Sequence, residues 1–354
     1  MRSIVFSVIF AVMLLLPLKV SAAELPVIQG EDFFNDAAGE IASGGFTLNP
    51  VKIINNIGER LTDEIKASAK YIISILLIAA ISGLIRALSD SFGKGASEAA
   101  NFICFALIST AALGCFTLAL GYATDVMRAI CDFVTKLTPA LIMTLYACGS
   151  VATATAFEPV MSAAVYVITL VIEKCLVPMI CFSAVLSVAG NINDKVQISN
   201  FCRVLKSMAK WIMVASITIF TAISAAYGMS APSLDAVSGK AVKFAVGSLV
   251  PVVGGFLSDT LETVLSGTRL IKNAVGVAGM AAICSMCLVP VLKIFIMQLL
   301  LKAGAALAEP MAEKRISSML WEMSDSVMTI FAAAVMIMVL FLINIGIILA
   351  ATGF

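Results

Sequence analysis

The chain has 354 residues, of which 61% are hydrophobic and 13% charged, against roughly 25% charged in an ordinary soluble domain. That balance points to a polytopic membrane protein, and a net charge of +1 gives no basis for nucleic-acid binding. There is no histidine, which removes the usual general base, the Ser-His and Cys-His nucleophile pairs and the commonest metal ligand.

In chain order, Arg2 followed by the apolar stretch Ile4 to Leu16 and the small residues of Val20-Ser21-Ala22-Ala23 reads as a signal peptide, 1–23. An uncleaved anchor is the alternative. Cleavage leaves the mature N-terminus extracytoplasmic. Residues 24–69 form an extracytoplasmic segment. Its second part starts at Asn49-Pro50, a helix cap and first turn, and carries Val51, Ile54, Leu61 and Ile65 at helical spacing. This is an amphipathic helix that lies on the membrane surface or packs on the protein itself.

Residues 70–123 hold two spanning helices, 70–88 and 101–122. The stretch 124–137 then has Asp125, Arg128, Asp132 and Lys136 on one helical face and Val126, Ile130, Phe133, Val134 and Leu137 over much of the rest. It is expected to be an interfacial helix with a solvated charged face. Further spans are expected at 160–189, 211–228, 274–301 and 325–350, giving six crossings.

The motif CLVP occurs at Cys175–Pro178 and again at Cys287–Pro290, 112 residues apart. At the same offset Pro139 falls on Pro251, Leu137 on Leu249, and Arg203 on Arg315. An internal repeat follows, with repeat 1 at 124–230 and repeat 2 at 231–354; two independently similar halves are the alternative. The segment 251–269 carries Asp259, Glu262 and Arg269, and each ionised group at mid-bilayer costs about 2.5–3.5 kcal/mol. It and its counterpart 139–157 are therefore expected to be interfacial or re-entrant helices. The fold class is all-α: a polytopic membrane helical bundle with an internal repeat and two interfacial or re-entrant helices.

Proline removes a backbone donor and clashes with the preceding turn, so Pro178 and Pro290 should kink their spans. A freed carbonyl is costly against lipid and tolerable against protein or a wet cavity. Paired broken helices point to a path near the midplane, with Glu173, Lys174 and Lys293 as its ionisable neighbours. The alternative is two short helices joined at Glu173-Lys174 in a polar loop. The cytoplasmic links would be 86–100, 190–210 and 302–324, the middle one rich in Lys195, Arg203, Lys206 and Lys210.

No P-loop is present, and the nine cysteines fall mostly in apolar runs. Cys284 and Cys287 form a C-x-x-C that reads as two packing residues on one helix face. No catalytic residue, metal ligand or cofactor is expected, and enzyme activity is the least supported class. A channel or export-platform subunit, a stand-alone secondary transporter and a non-conducting membrane scaffold all remain open on these features.

One long stretch, KFAVGSLVPVVGGFLSDTLETVLSGTRLIKNAVGVAG within 243–293, resembles the stage III sporulation protein AE family, with Pro251, Asp259, Thr260, Lys272, Asn273, Val275 and Gly276 at matching places. GYATDVM (121–127) and PMICFSAVLSV (178–188) are similar as well. The resemblance runs from about residue 46 to the end, and residues 24–45 show none. It implies an integral protein of the mother-cell membrane surrounding the forespore. It also implies membership of a stage III A channel or feeding-tube assembly, together with other stage III A proteins and a forespore-side partner. The resemblance supplies no catalytic residues.

Overall fold

A computed structural model describes residues 94–192, 199–249, 254–310 and 314–350. The described chain forms six α-helices: α1 (Lys94–Ala147), α2 (Val151–Val171), α3 (Val177–Ile192), α4 (Ser199–Leu249), α5 (Gly254–Ala308) and α6 (Lys314–Ala350). A π-helical turn, Ile172–Leu176, joins α2 to α3 without a break.

Among the described residues, five helical stretches are long and apolar enough to cross a membrane: Asn101–Ala147, Val151–Ile192, Asn200–Met229, Thr263–Ala308 and Lys314–Ala350. Each contains one of the crossings expected from sequence. The expected crossing at 70–88, the signal peptide 1–23 and the segment 24–69 lie outside the described residues.

The stretch 124–137 departs from expectation. It is the middle of α1 and not a separate interfacial helix. The reason is phase: Ala119, Ala123, Val126, Ile130, Val134, Leu137, Leu141 and Leu145 continue one buried stripe at spacings of three and four. Nothing in that register asks the helix to stop at Gly121 or at Pro139, which lies exposed within α1.

The segment 139–157 is likewise not one re-entrant helix. Residues 139–147 end α1, residues 151–157 begin α2, and a tight turn lies between them. Gly149 has φ +76, the left-handed region that favours glycine. The Gly149 amide donates to the Tyr146 carbonyl (2.9 Å) and the Ser150 amide to the Leu145 carbonyl (3.0 Å). These are the two bonds of a Schellman stop, which satisfies the last carbonyls of α1 and reverses the chain. At the equivalent repeat position, 260–262, α5 runs through as helix, so this hairpin turn has no counterpart there.

The start of α2 is capped from far along the chain. Asp235 of α4 accepts bonds from the amides of Ala152 (2.8 Å) and Thr153 (3.0 Å) and from the Thr153 hydroxyl. A carboxylate there meets the unpaired first-turn amides and the positive end of the helix dipole. Ser150, the local cap position, makes no side-chain cap bond.

The core is built around α6, the most apolar of the five stretches, which α5, α1, α4 and α3 surround. Close approach rests on small residues. A Cβ at Gly276 would run into the Leu349 side chain, one at Gly279 would stand 2.6 Å from Leu137, and one at Gly228 2.6 Å from Ile347. Gly276 and Gly279 thus let α5 approach α6 and α1 closely within this chain. Buried polar groups pair across helices: Ser224 donates to Asn344 Oδ1 (2.6 Å), and Ser324 donates to the Gln298 carbonyl (3.2 Å).

Candidate functional site

The π turn falls on the residues that the sequence singles out. Glu173 and Lys174 lie within it, and Pro178 follows by two residues. The Val177 amide reaches back five residues to the Ile172 carbonyl. This wider turn accommodates the proline ring, whose usual clash is with the carbonyl four residues earlier, that of Lys174. The chain is therefore neither a plain helix here nor two helices joined by a loop.

Glu173 and Lys174 both point to the outside of the bundle. Glu173 pairs with Arg128 of α1, Oε1 accepting from Nη2 at 3.0 Å and from Nε at 3.2 Å. The side chains are 39% and 62% exposed. Asp125, Asp132 and Lys136 lie exposed along the same helix as Arg128. The outward face of α1 and the π turn is thus a charged stripe of three acids and three bases.

Lys293 behaves differently. It is 6% exposed, and its ammonium lies 5.3 Å from the centre of the Tyr122 ring. A cation over an aromatic face gains about 0.5–2 kcal/mol, the more so when water is excluded. Pro290, half-buried, sits in the uninterrupted helix α5 with no π turn beside it. The helices that carry Pro178 and Pro290, α3 and α5, both pack on α6. Pro139 lines an open groove of about 610 Å³ between α1 and α2, with Tyr146, Glu158, Met161 and Tyr166. Asp259 and Glu262 fall in the backbone of α5, and Pro251 lies outside the described residues.

A second polar cluster, not foreseen as a unit, ties one end of the bundle together. Lys206 of α4 donates to the Glu322 carbonyl of α6 (2.6 Å). Asn191 of α3 donates to the Glu322 carboxylate (3.3 Å), and Arg315 donates to the Ile192 carbonyl (3.2 Å), where α3 ends. The sequence signal was the basic link at 190–210; its acidic complement, Glu322, lies more than a hundred residues away. The Asp235 cap has no sequence signal at all.

Among the described residues, no group of three or more His, Cys, Asp or Glu side chains could hold a metal ion. What the described residues build is a set of membrane-length apolar helices, pinned by interhelical polar bonds and widened at Ile172–Leu176 by a π turn that bears charge. These features define a polytopic α-helical membrane protein.

The chain belongs to the stage III sporulation protein AE family, whose model matches residues 33–352. Stage III sporulation protein AE of Bacillus subtilis (strain 168) is 26% identical to it over 313 residues, covering 88% of this chain and 78% of that protein. The family match starts at residue 33, so it reaches further toward the N-terminus than the resemblance from about residue 46. No solved structure matches the chain. Membership gives the protein a role in sporulation.

Proposed function

We propose that this protein is an integral membrane subunit of the mother cell–forespore channel complex, a feeding-tube or secretion-like assembly required for endospore formation. In this reading it resides in the mother-cell membrane surrounding the forespore, with its mature N-terminus extracytoplasmic. Its partners are other stage III A sporulation proteins and a forespore-side channel protein. The observation that supports it most is membership of a sporulation family along nearly the whole length of a multi-spanning apolar bundle. A subunit of such an assembly needs neither a nucleotide site nor a catalytic centre of its own, since a partner can supply the energy.

The test is affinity capture of the tagged protein from sporulating cells after engulfment begins. Recovery of the other stage III A proteins in stoichiometric amounts is expected. The π turn beside Pro178 and the buried Lys293 favour a second reading, a stand-alone secondary transporter of a small solute. Solute uptake by the purified protein alone in liposomes, with no stage III A protein captured, would establish that reading against the first.

A further inference from the structure

The charged stripe lies at the wrong height for a lipid-facing surface. Tyr122 meets Lys293 of α5, and fifteen residues later Leu137 meets Gly279. Asp125, Arg128, Asp132 and Lys136 fall between these two levels. The matching part of α5 is therefore 279–293, in the middle of its apolar run. On α6, Phe331 stacks near Phe295, and Leu349 lies against Gly276. The part of α6 level with the stripe thus falls within 331–349, in the most apolar of the five membrane-length stretches. Elsewhere around the bundle α5 exposes Val277 and Leu288, and α4 exposes Val214, Ile219 and Ile223. One side of the molecule is charged at a depth where the other sides are greasy.

Lipid cannot cover that side cheaply. An ionised group at mid-bilayer is costly, and Asp125, Arg128, Asp132 and Glu173 all lie exposed on this stripe. An exposed ion pair such as Arg128–Glu173 returns only a small part of that cost. The stripe therefore faces protein or water. Its own chemistry selects the cover. Arg128 and Glu173 stand side by side at one height with opposite signs. A two-fold axis along the bilayer normal would set the Arg128 of one chain against the Glu173 of another at that same height, and likewise in return. Copies of a membrane protein share one orientation, so this is the rotation open to a symmetric pair. Arg128 and Glu173 carry equal and opposite charges side by side, so the centre of the patch is complementary to itself.

We propose that the charged face of α1 and the π turn is the surface through which two copies of this chain meet within the membrane. At its centre the Arg128–Glu173 pairs of the two chains form one four-charge cluster. The proposal depends on the membrane setting of the helices and not on the channel assignment, so either stands if the other fails.

The test uses two full-length, differently tagged chains co-expressed in membranes, one bearing Arg128→Glu and the other Glu173→Arg. Each variant paired with itself places like charges across the contact, and its self-capture is expected to fall about tenfold from that of the unaltered chain. The two variants together restore unlike charges between chains, and their mutual capture is expected to return. Each chain's internal pair stays broken throughout, so a purely internal role predicts no recovery in the mixture. Photo-crosslinking from position 132 is expected to give a species of twice the monomer mass, and from Val277 none. Absence of recovery overturns the proposal. So does a crosslink from position 132 only to lipid, to another protein or to residues 1–93 of the same chain.

Discussion

The first amides of α2 have no local cap, and Asp235 supplies one from α4. Replacing it by alanine leaves two amides and the Thr153 hydroxyl without that partner and is expected to cost about 1–2 kcal/mol, the usual worth of a good cap. The check is the thermal midpoint of the detergent-solubilised protein, which should fall for Asp235→Ala and recover most of the loss for Asp235→Asn, since asparagine still accepts a bond. A second residue-scale prediction concerns packing. Gly276→Ala drives a methyl into Leu349, and an overpacked contact of this kind costs about 1–3 kcal/mol. Leu349→Ala in the same chain should relieve it. If the single change leaves the midpoint untouched, α5 and α6 are not as close as described. Neither Asp235 nor Leu349 could be found by sequence pattern: their partners are distant in the chain, and nothing local distinguishes either from its neighbours.

At the scale of the element, the π turn is the most informative feature. It exists because one extra residue is wound into the helix ahead of Pro178. Deleting Lys174 should convert it to ordinary α-helix while leaving the ends of α2 and α3 bonded as before. If the turn serves function, this variant inserts into membranes and keeps its thermal midpoint, yet spore yield falls. Unchanged spore yield would reduce the turn to a structural accommodation of proline. The element scale also shows how far the sequence carries. Span positions were legible because apolar runs of membrane length are long and unambiguous, and the buried and charged faces of 124–137 were legible from spacing alone. The joining of 101–122 to 124–137 was misjudged because polarity changes there while the buried stripe keeps its phase, and phase governs whether a helix continues. The turn at Gly149 was hidden inside an apolar stretch, since a Schellman stop needs only one glycine. The symmetry suggested by the two CLVP motifs gives different local structures: a π turn precedes Pro178, and unbroken α-helix surrounds Pro290.

For the whole molecule, α6 is the axis on which the other helices are assembled, and the polar bonds sort to recognisable levels. Lys206, Asn191, Glu322 and Arg315 gather at the end where α3 stops and α4 starts. The α1–α2 turn and the Asp235 cap gather at the other end. Breaking the first cluster with Lys206→Ala should loosen the α4–α6 contact and raise protease sensitivity near 190–210, with little effect at the α1–α2 turn. The central claim is that these two ends lie on opposite faces of the bilayer, with apolar helices crossing between them. It is tested most directly by single added cysteines at Ser150 and at Lys210, probed with a membrane-impermeant thiol reagent and read above the labelling of the unaltered chain. The expected result is labelling of Ser150→Cys in intact cells and of Lys210→Cys only after permeabilisation. Labelling of both from the same side would contradict the account.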